Sequence, residues 1–233
     1  MGRLTVVCSL FDSKPDKRKG PWSGWGIYTP EWVDKLYRGV ERNLSTDFRM
    51  VCVTTYGGDE FVEDVEAVPF KQQDHVGEWV CLNEVFRSDL GIDRGVWMGL
   101  DTIIVDDIDD LASYAGTFAL ARDRTGGYEV CNPVALFHGP SCARIWDEYE
   151  ADPVAVNARS TTKWSRGMPT ELQHWRTGHG HEVIDDLYPD RLVEYASDYR
   201  RHGLTDRSSI VFFGGSSKPS RLPAGHPLLA HWR

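Results

Sequence analysis

The sequence predicts an α/β protein built on a mixed, mostly parallel sheet with helices on its faces, and three observations carry that expectation. The chain opens as strand, loop, helix, strand: "LTVVCSL" is a buried extended run, "YTPEWVDKLYRGVERNL" an amphipathic helix, and "FRMVCVTT" a second buried run, the order that produces parallel neighbours joined by a crossover. The apolar runs are β-branched or bulky on both faces rather than alternating, as in strands covered on both sides. Extended and helical patterns then continue to interleave to the end of the chain.

Each element has its own local reason. In the first helix Thr29 takes the N-cap position, Pro30 the first helical position and Glu31 the first turn, while Trp32, Leu36, Val40 and Leu44 form one apolar stripe, a set of start signals and periodicity that agree with one another. "AVPF" reads as a short extended piece and "EWVCLNEVFRSDL" as a helix with Trp79, Leu82 and Phe86 aligned. "VWMGLDTIIV" is the next strand, followed by "GTFALARD" and "EVCNPVALF". A helix is expected at "PSCARIWDEYE" and another near "PTELQHWRTG", separated by an irregular region, and then extended "LVEY" and a last strand "SSIVFFG".

Composition narrows the classes of function. The 233 residues, 41% of them hydrophobic, suffice for a sizeable core in one large domain or two small ones. A formal charge of -9 argues against a broad phosphate-hugging surface. Five cysteines, Cys8, Cys52, Cys81, Cys131 and Cys142, are odd in number and show no paired metal spacing, which fits a reducing cytoplasm better than a disulfide framework. The apolar runs fall far short of a bilayer span, and the first residues lack the apolar length of a signal peptide.

The most informative stretch is "VWMGLDTIIVDDIDDL", residues 96–111, where one aspartate interrupts an apolar run before four more carboxylates follow. An ionised carboxylate inside a buried strand needs a chain end or a cation, because desolvating it alone costs several kcal/mol. Asp101 therefore marks either a strand pausing at a ligand cleft or a turn cap between two short strands, with Asp106 to Asp110 a solvated helix start. The segment lacks the sixth-position glycine and twelfth-position glutamate of a calcium loop.

Taken with the terminal "IVFFGGSSKP", these residues resemble the GT-A fold nucleotide-sugar glycosyltransferases, close to the bacterial family 8 type, over nearly the whole chain. The two most specific parts are the "LDT" strand with its acidic helix start and the Gly-x-x-Lys-Pro segment formed by Gly215, Ser216, Ser217, Lys218 and Pro219. The resemblance implies a single GT-A-like domain over 1–233, with a nucleotide-binding half over about 1–112 and an acceptor half over about 113–233. It implies transfer of a sugar from a nucleotide donor, a UDP-sugar, to a hydroxyl acceptor with retention at the anomeric carbon. It places Asp101 on a divalent cation, Mn²⁺ or Mg²⁺, and Lys218 on the donor phosphates. It puts Asp123 beside the donor sugar and Glu171 near the reacting sugar.

Three departures accompany the resemblance. Gly99 stands where the family has the first carboxylate of its Asp-x-Asp pair, Phe212 where a metal-ligating histidine is common, and Leu82 where many relatives carry a lysine. Asp101 then looks like the surviving half of a metal site. The chemistry still requires something aimed at the leaving diphosphate, since it gains negative charge as the sugar bond breaks. Lys218, among small residues, can supply charge and close backbone approach, or it is a solvated lysine in a flexible tail.

The remaining candidates each have a plainer reading. Gly215 would let backbone N–H groups approach phosphate, and Tyr56, Trp22 and Trp25 could stack on a base or sugar, although core packing is the commoner fate of such rings. Lys14, Lys17, Arg18 and Lys19 could fold over phosphate or be a solvated run. His174, His179 and His181 lack the helical spacing and neighbouring carboxylate of a metal site. Asp123 is otherwise a strand-end ion pair with Arg122 and Arg124, and Glu171 an ordinary helix cap. The competing classes are a non-catalytic nucleotide-sugar binding protein and a nucleotidyltransferase. The -9 charge also disfavours stable membrane binding, so the expected acceptor is soluble. A hydroxylated base in nucleic acid is the second choice, with Arg200 and Arg201 as local phosphate contacts.

Overall fold

The computed structural model describes residues 3–11, 28–76, 79–124, 129–161, 175 and 180–233. A seven-stranded sheet runs in the order β3-β2-β1-β4-β7-β6-β8, with β1 at Leu4–Leu10, β2 at Phe48–Thr54, β3 at Val65–Pro69, β4 at Arg94–Met98, β6 at Phe118–Arg122, β7 at Val130–His138 and β8 at Glu182–Val183. Neighbours are parallel except on the two sides of β7, so six strands point one way and β7 the other. A second sheet has the order β5-β10-β9, from Thr102–Ile104, Ile210–Phe212 and Leu192–Glu194.

The expected burial on both faces is present. Val6, Cys8, Met50, Cys52, Val96 and Met98 face one core with Trp32, Leu36 and Val40 of helix α1, Pro30–Asn43. Val7, Val51, Val53 and Trp97 face another with Ile145 and Trp146 of α3, Gly139–Ala151. The short α2, Asp109–Ala112, adds Leu111 and Ala112 to the first of these cores. Its acidic start is tied down rather than solvated throughout: Ser45 N–H donates to Asp109 over 2.7 Å and Arg191 pairs with Asp110 at 2.6 Å. Cys8 and Cys52 are register partners on β1 and β2, and all five thiols are free. Burial pushes Cys142 up to about 12. No helix among the described residues is long and apolar enough to cross a membrane.

Two expectations are revised. The helix expected over 78–90 is 3₁₀ in two pieces, Trp79–Phe86 and Ser88–Leu90. Side-chain hydrogen bonds compete with an α-helical ladder there: Asn83 Nδ2 donates to the Val80 carbonyl at 2.8 Å, and the Glu84 carboxylate, fully buried, accepts the N–H groups of Lys71 and Gln72 at 2.7 and 2.8 Å. The strand expected over 96–105 is divided between two sheets: β4 ends at Met98 and the chain resumes as β5 in the other sheet. At α1, Thr29 sits in extended conformation at the N-cap with Pro30 following, as expected, but its hydroxyl makes no cap bond; its carbonyl accepts Trp32 N–H at 2.9 Å.

The C-terminal segment is anchored at both ends. At one end β10 pairs with β5 and β9. At the other, Trp232 packs edge-on against Trp32 at 4.9 Å with the Lys35 ammonium 3.9 Å from its ring centroid, and Arg42 donates to the His231 carbonyl at 2.7 Å.

Where β7 passes into α3, Gly139 lies so near the preceding loop that an added Cβ would meet the Ile92 carbonyl oxygen at 1.9 Å. Backbone cannot swing aside as a side-chain end can, so Gly139→Ala is expected to destabilise by about 1–3 kcal/mol, the cost of overpacking. A melting curve should show a fall of several degrees; an unchanged midpoint contradicts the close approach.

Candidate functional site

The chain fills the sheet from β1 through β2 to β3 on one side and then places β4 on the other side of β1. The carboxyl ends of strands at such a reversal are where α/β sheets bind ligands. Asp101 lies there, in the three residues that carry the chain from β4 to β5. The break is fixed by Gly99 N–H donating to Pro133 O at 2.8 Å and by Thr102, whose N–H and hydroxyl donate to Gly99 O at 3.2 and 2.7 Å. Asp101 sits in a turn between two short strands, and the cation that its charge needs is a side chain of this chain.

That cation is Lys218, whose ammonium donates to Asp101 Oδ2. The same oxygen accepts the Tyr28 hydroxyl at 3.1 Å, and the ammonium lies 5.7 Å from the Tyr28 ring centroid. Lys218 is 8% exposed and counts among the buried charged residues, so the solvated-tail reading does not hold. Burial and then the Asp101 charge push the Tyr28 phenol far above its ordinary range.

The loop carrying Lys218 is built by its small residues. Gly215 has φ of 56°, the left-handed region, with nothing near an added Cβ; conformation rather than crowding requires glycine. Ser217 N–H closes a turn onto Gly214 O at 3.2 Å, and Pro219 starts a 3₁₀ turn closed by Arg221 N–H on Lys218 O at 3.0 Å. Phe213 N–H donates to Asp101 O at 3.1 Å, setting the loop directly over the break. Glu194, which sequence reasoning missed, is 6% exposed and accepts Gly214 N–H at 3.3 Å and Ser197 N–H. Its signal was the one used for Asp101, a carboxylate inside an apolar extended run. Tyr28 was missed because a residue before an N-cap carries no signature of its own.

The side chains of the described residues offer a divalent cation a single carboxylate here. Gly99 offers no carboxylate, Phe212 is a buried ring in the main core, and Leu82 packs in the core on the other face. No group of three or more His, Cys, Asp or Glu side chains among the described residues is placed to hold a metal ion. That carboxylate is Asp101, already engaged by Lys218, and Mg²⁺ or Mn²⁺ would have to draw its other oxygens from donor phosphates and water.

Tyr56 and Asp123 flank this centre along the same edge. Tyr56 follows the carboxyl end of β2, two strands from β4, and lines a cavity of about 420 Å³ with Thr54, Thr55, Gly57 and Gln73, while also packing on the main core. Asp123 follows the carboxyl end of β6, two strands from β4 on the other side. Its N–H donates to Glu129 O at 3.1 Å, and its charge adds to the burial that pushes the Cys131 thiol up. The neighbouring arginines reach other carboxylates: Arg124 bonds Asp185 and lies 3.2 Å from Asp198, and Arg122 bonds Asp186. With strands about 4.8 Å apart, the edge from Tyr56 to Asp123 spans roughly 19 Å. Glu171, Lys14, Lys17, Arg18, Lys19, Trp22, Trp25, His174 and His179 lie outside the described residues; His181 lies 3.5 Å from Glu129.

No family model matches the chain, and no curated protein matches it. Solved structures do. An active-site mutant of LgtC is 10% identical with a TM-score of 0.63, over 97% of this chain and 93% of that one. The galactosyltransferase LgtC in complex with donor and acceptor sugar analogues is 12% identical with a TM-score of 0.58, over 98% and 91%. The apo form of the glycosyltransferase GlyE of Streptococcus pneumoniae is 12% identical with a TM-score of 0.64, and this chain, covered over 99%, spans 59% of it. The likeness at such identities is one of fold, and the fold is the GT-A-like one that the sequence resemblance implied.

The Tyr28 hydroxyl gives a signed expectation for pH. A tyrosine whose folded pKa is raised contributes stability that is fully present below its unfolded value of about 10 and is lost as pH rises above it, because the unfolded chain then sheds a proton that the folded one keeps. Urea midpoints at pH 8 and pH 10.5 should fall further in the parent protein than in Tyr28→Phe. Equal falls in the two would show that the phenol is not held as described.

Proposed function

We propose that the protein is a glycosyltransferase that moves a sugar from a nucleoside diphosphate sugar, a uridine one, to the hydroxyl of a soluble acceptor, with retention as the resemblance implies. The observation that carries this reading is the Asp101–Lys218 pair at the carboxyl ends of the central strands, with a cavity lined by Tyr56 on one side and an acidic strand end on the other. The base would lie toward Tyr56, the diphosphate over Lys218 and the Gly215 turn, and the sugar toward Asp123. Residues 1–112 would then hold most of the donor and 113–233 the acceptor, in one domain.

The residues divide the chemistry by type. Departure of the diphosphate is helped by charge fixed in advance where charge develops, which a buried ammonium and the backbone N–H groups of a tight glycine turn provide. Asp123 would orient the donor sugar through its hydroxyls, and Glu171 would lie by the reacting carbon. Five free thiols suit a reducing, cytoplasmic setting. The losses at Gly99, Phe212 and Leu82 favour one competing reading, a binding protein without turnover, and catalysis with labelled donor separates the two.

A panel of nucleoside diphosphates followed by melting should single out UDP. At a concentration near 100 Kd a ligand of the native state adds about 2.7 kcal/mol, or roughly 5–10 °C for a chain of this size. Turnover of a labelled UDP-sugar onto soluble acceptors should then fall about 100-fold in Asp123→Asn, mainly in kcat. Absence of any nucleoside diphosphate effect on melting overturns the donor reading, and binding without turnover reduces the protein to a sugar-nucleotide receptor.

A further inference from the structure

We propose that the Lys218 ammonium is the resident cation of this site: it stands where the resemblance places a divalent metal, and a nucleoside diphosphate binds to it without a metal ion. The inference rests on the donor reading above and deepens it.

Asp101 and Lys218 are matched one to one. Asp101 Oδ2 accepts from both Lys218 and Tyr28. Asp101 Oδ1 faces Gly99, where an added Cβ would lie 3.2 Å from it. A carboxylate-bearing side chain at 99 would therefore start within contact of Asp101 and bring a second negative charge into a corner that one ammonium could not neutralise. Two carboxylates at such range call for a dication or a proton. Glycine leaves a single carboxylate, and one lysine balances it. The third position points the same way: Phe212, 5% exposed, pairs opposite Thr102 on β5 and buries its ring in the core that α1 shares. Where a metal would need a ligand, the chain has put an apolar plug.

Lys218 is also placed as a fixed ion rather than a mobile one. Its backbone is held by Pro219 and the 3₁₀ turn after it, and its head by Asp101 and the face of Tyr28. An ammonium has three N–H donors, and among the described residues the bond to Asp101 engages one. The remainder suits phosphate oxygens, for which lysine acts as a point charge. A metal ion entering this corner would share the Asp101 carboxylate with Lys218 and would sit beside the buried ammonium, an arrangement of like charges that the geometry does not relieve.

Titration of the parent protein with UDP, in EDTA and again with Mn²⁺, tests this by calorimetry. We expect Kd to differ by less than about threefold between the two, against the 5–150-fold usual where two bound species are coupled. Lys218→Ala should lose about 100-fold in EDTA and recover part of it with Mn²⁺, because Asp101 is then open to an ion. Lys218→Arg keeps a cation and should stay within about tenfold of the parent in EDTA, which covers the case of a poorly folded alanine variant. UDP binding by the parent only with Mn²⁺ overturns the inference and leaves the donor reading intact, as does metal-free binding by Lys218→Ala equal to the parent's. Failure to bind UDP in either condition removes the donor reading and the inference with it.

Discussion

The carboxylate of Asp101 and the ammonium of Lys218 meet across 117 residues of chain, and much of the architecture between them serves that meeting. β4 must stop at Met98 so that the next residues can turn out of the large sheet, and β5 must find β10 as its antiparallel partner, with Thr102 opposite Phe212. That pairing lays Phe213 N–H on Asp101 O, which sets the glycine turn above the aspartate before any side chain is considered. Once the backbone is so placed, the ion pair needs only a lysine of ordinary length. Removing Asp101 would leave the buried Lys218 charge unmatched, the case in which an ion pair matters most to stability.

The local signals in the sequence were sufficient for most elements and silent about how they assemble. Helix α1 and strands β1, β2 and β10 were legible because start residues, periodicity and burial agreed within ten or fifteen positions. The run at 78–90 was misread because its apolar spacing is helical, while the decisive interactions, Glu84 with the backbone of Lys71 and Gln72, come from another part of the chain. The strand at 96–105 was read as one element because nothing local to "TIIV" distinguishes a second sheet from a continuation of the first; only pairing with β10 does so.

The site shows the same division. Asp101 and Lys218 were singled out separately, one for a charge in an apolar run and one for its setting among glycines, yet no rule of spacing could join them. Gly99 and Phe212 read in sequence only as losses. In three dimensions they are complementary to a gain, since both withhold what a metal would require in the corner that Lys218 enters. Asp123 follows directly on β6, and the arginines on either side of it reach Asp185, Asp186 and Asp198, residues far enough along the chain that local reading could not nominate them.

Because the segment bearing Lys218 is pinned by β10 at one end and by Trp232 on α1 at the other, its positive charge has no dissociation constant. A site that borrows an ion from solution is filled in proportion to the free concentration of that ion, and its output rises and falls with the supply. Here occupancy is set by folding alone, so every native molecule carries its charge in place whatever the ionic composition around it. With the diphosphate bound to that charge as proposed above, the protein would forgo a means of being switched off by depletion and gain indifference to scarcity.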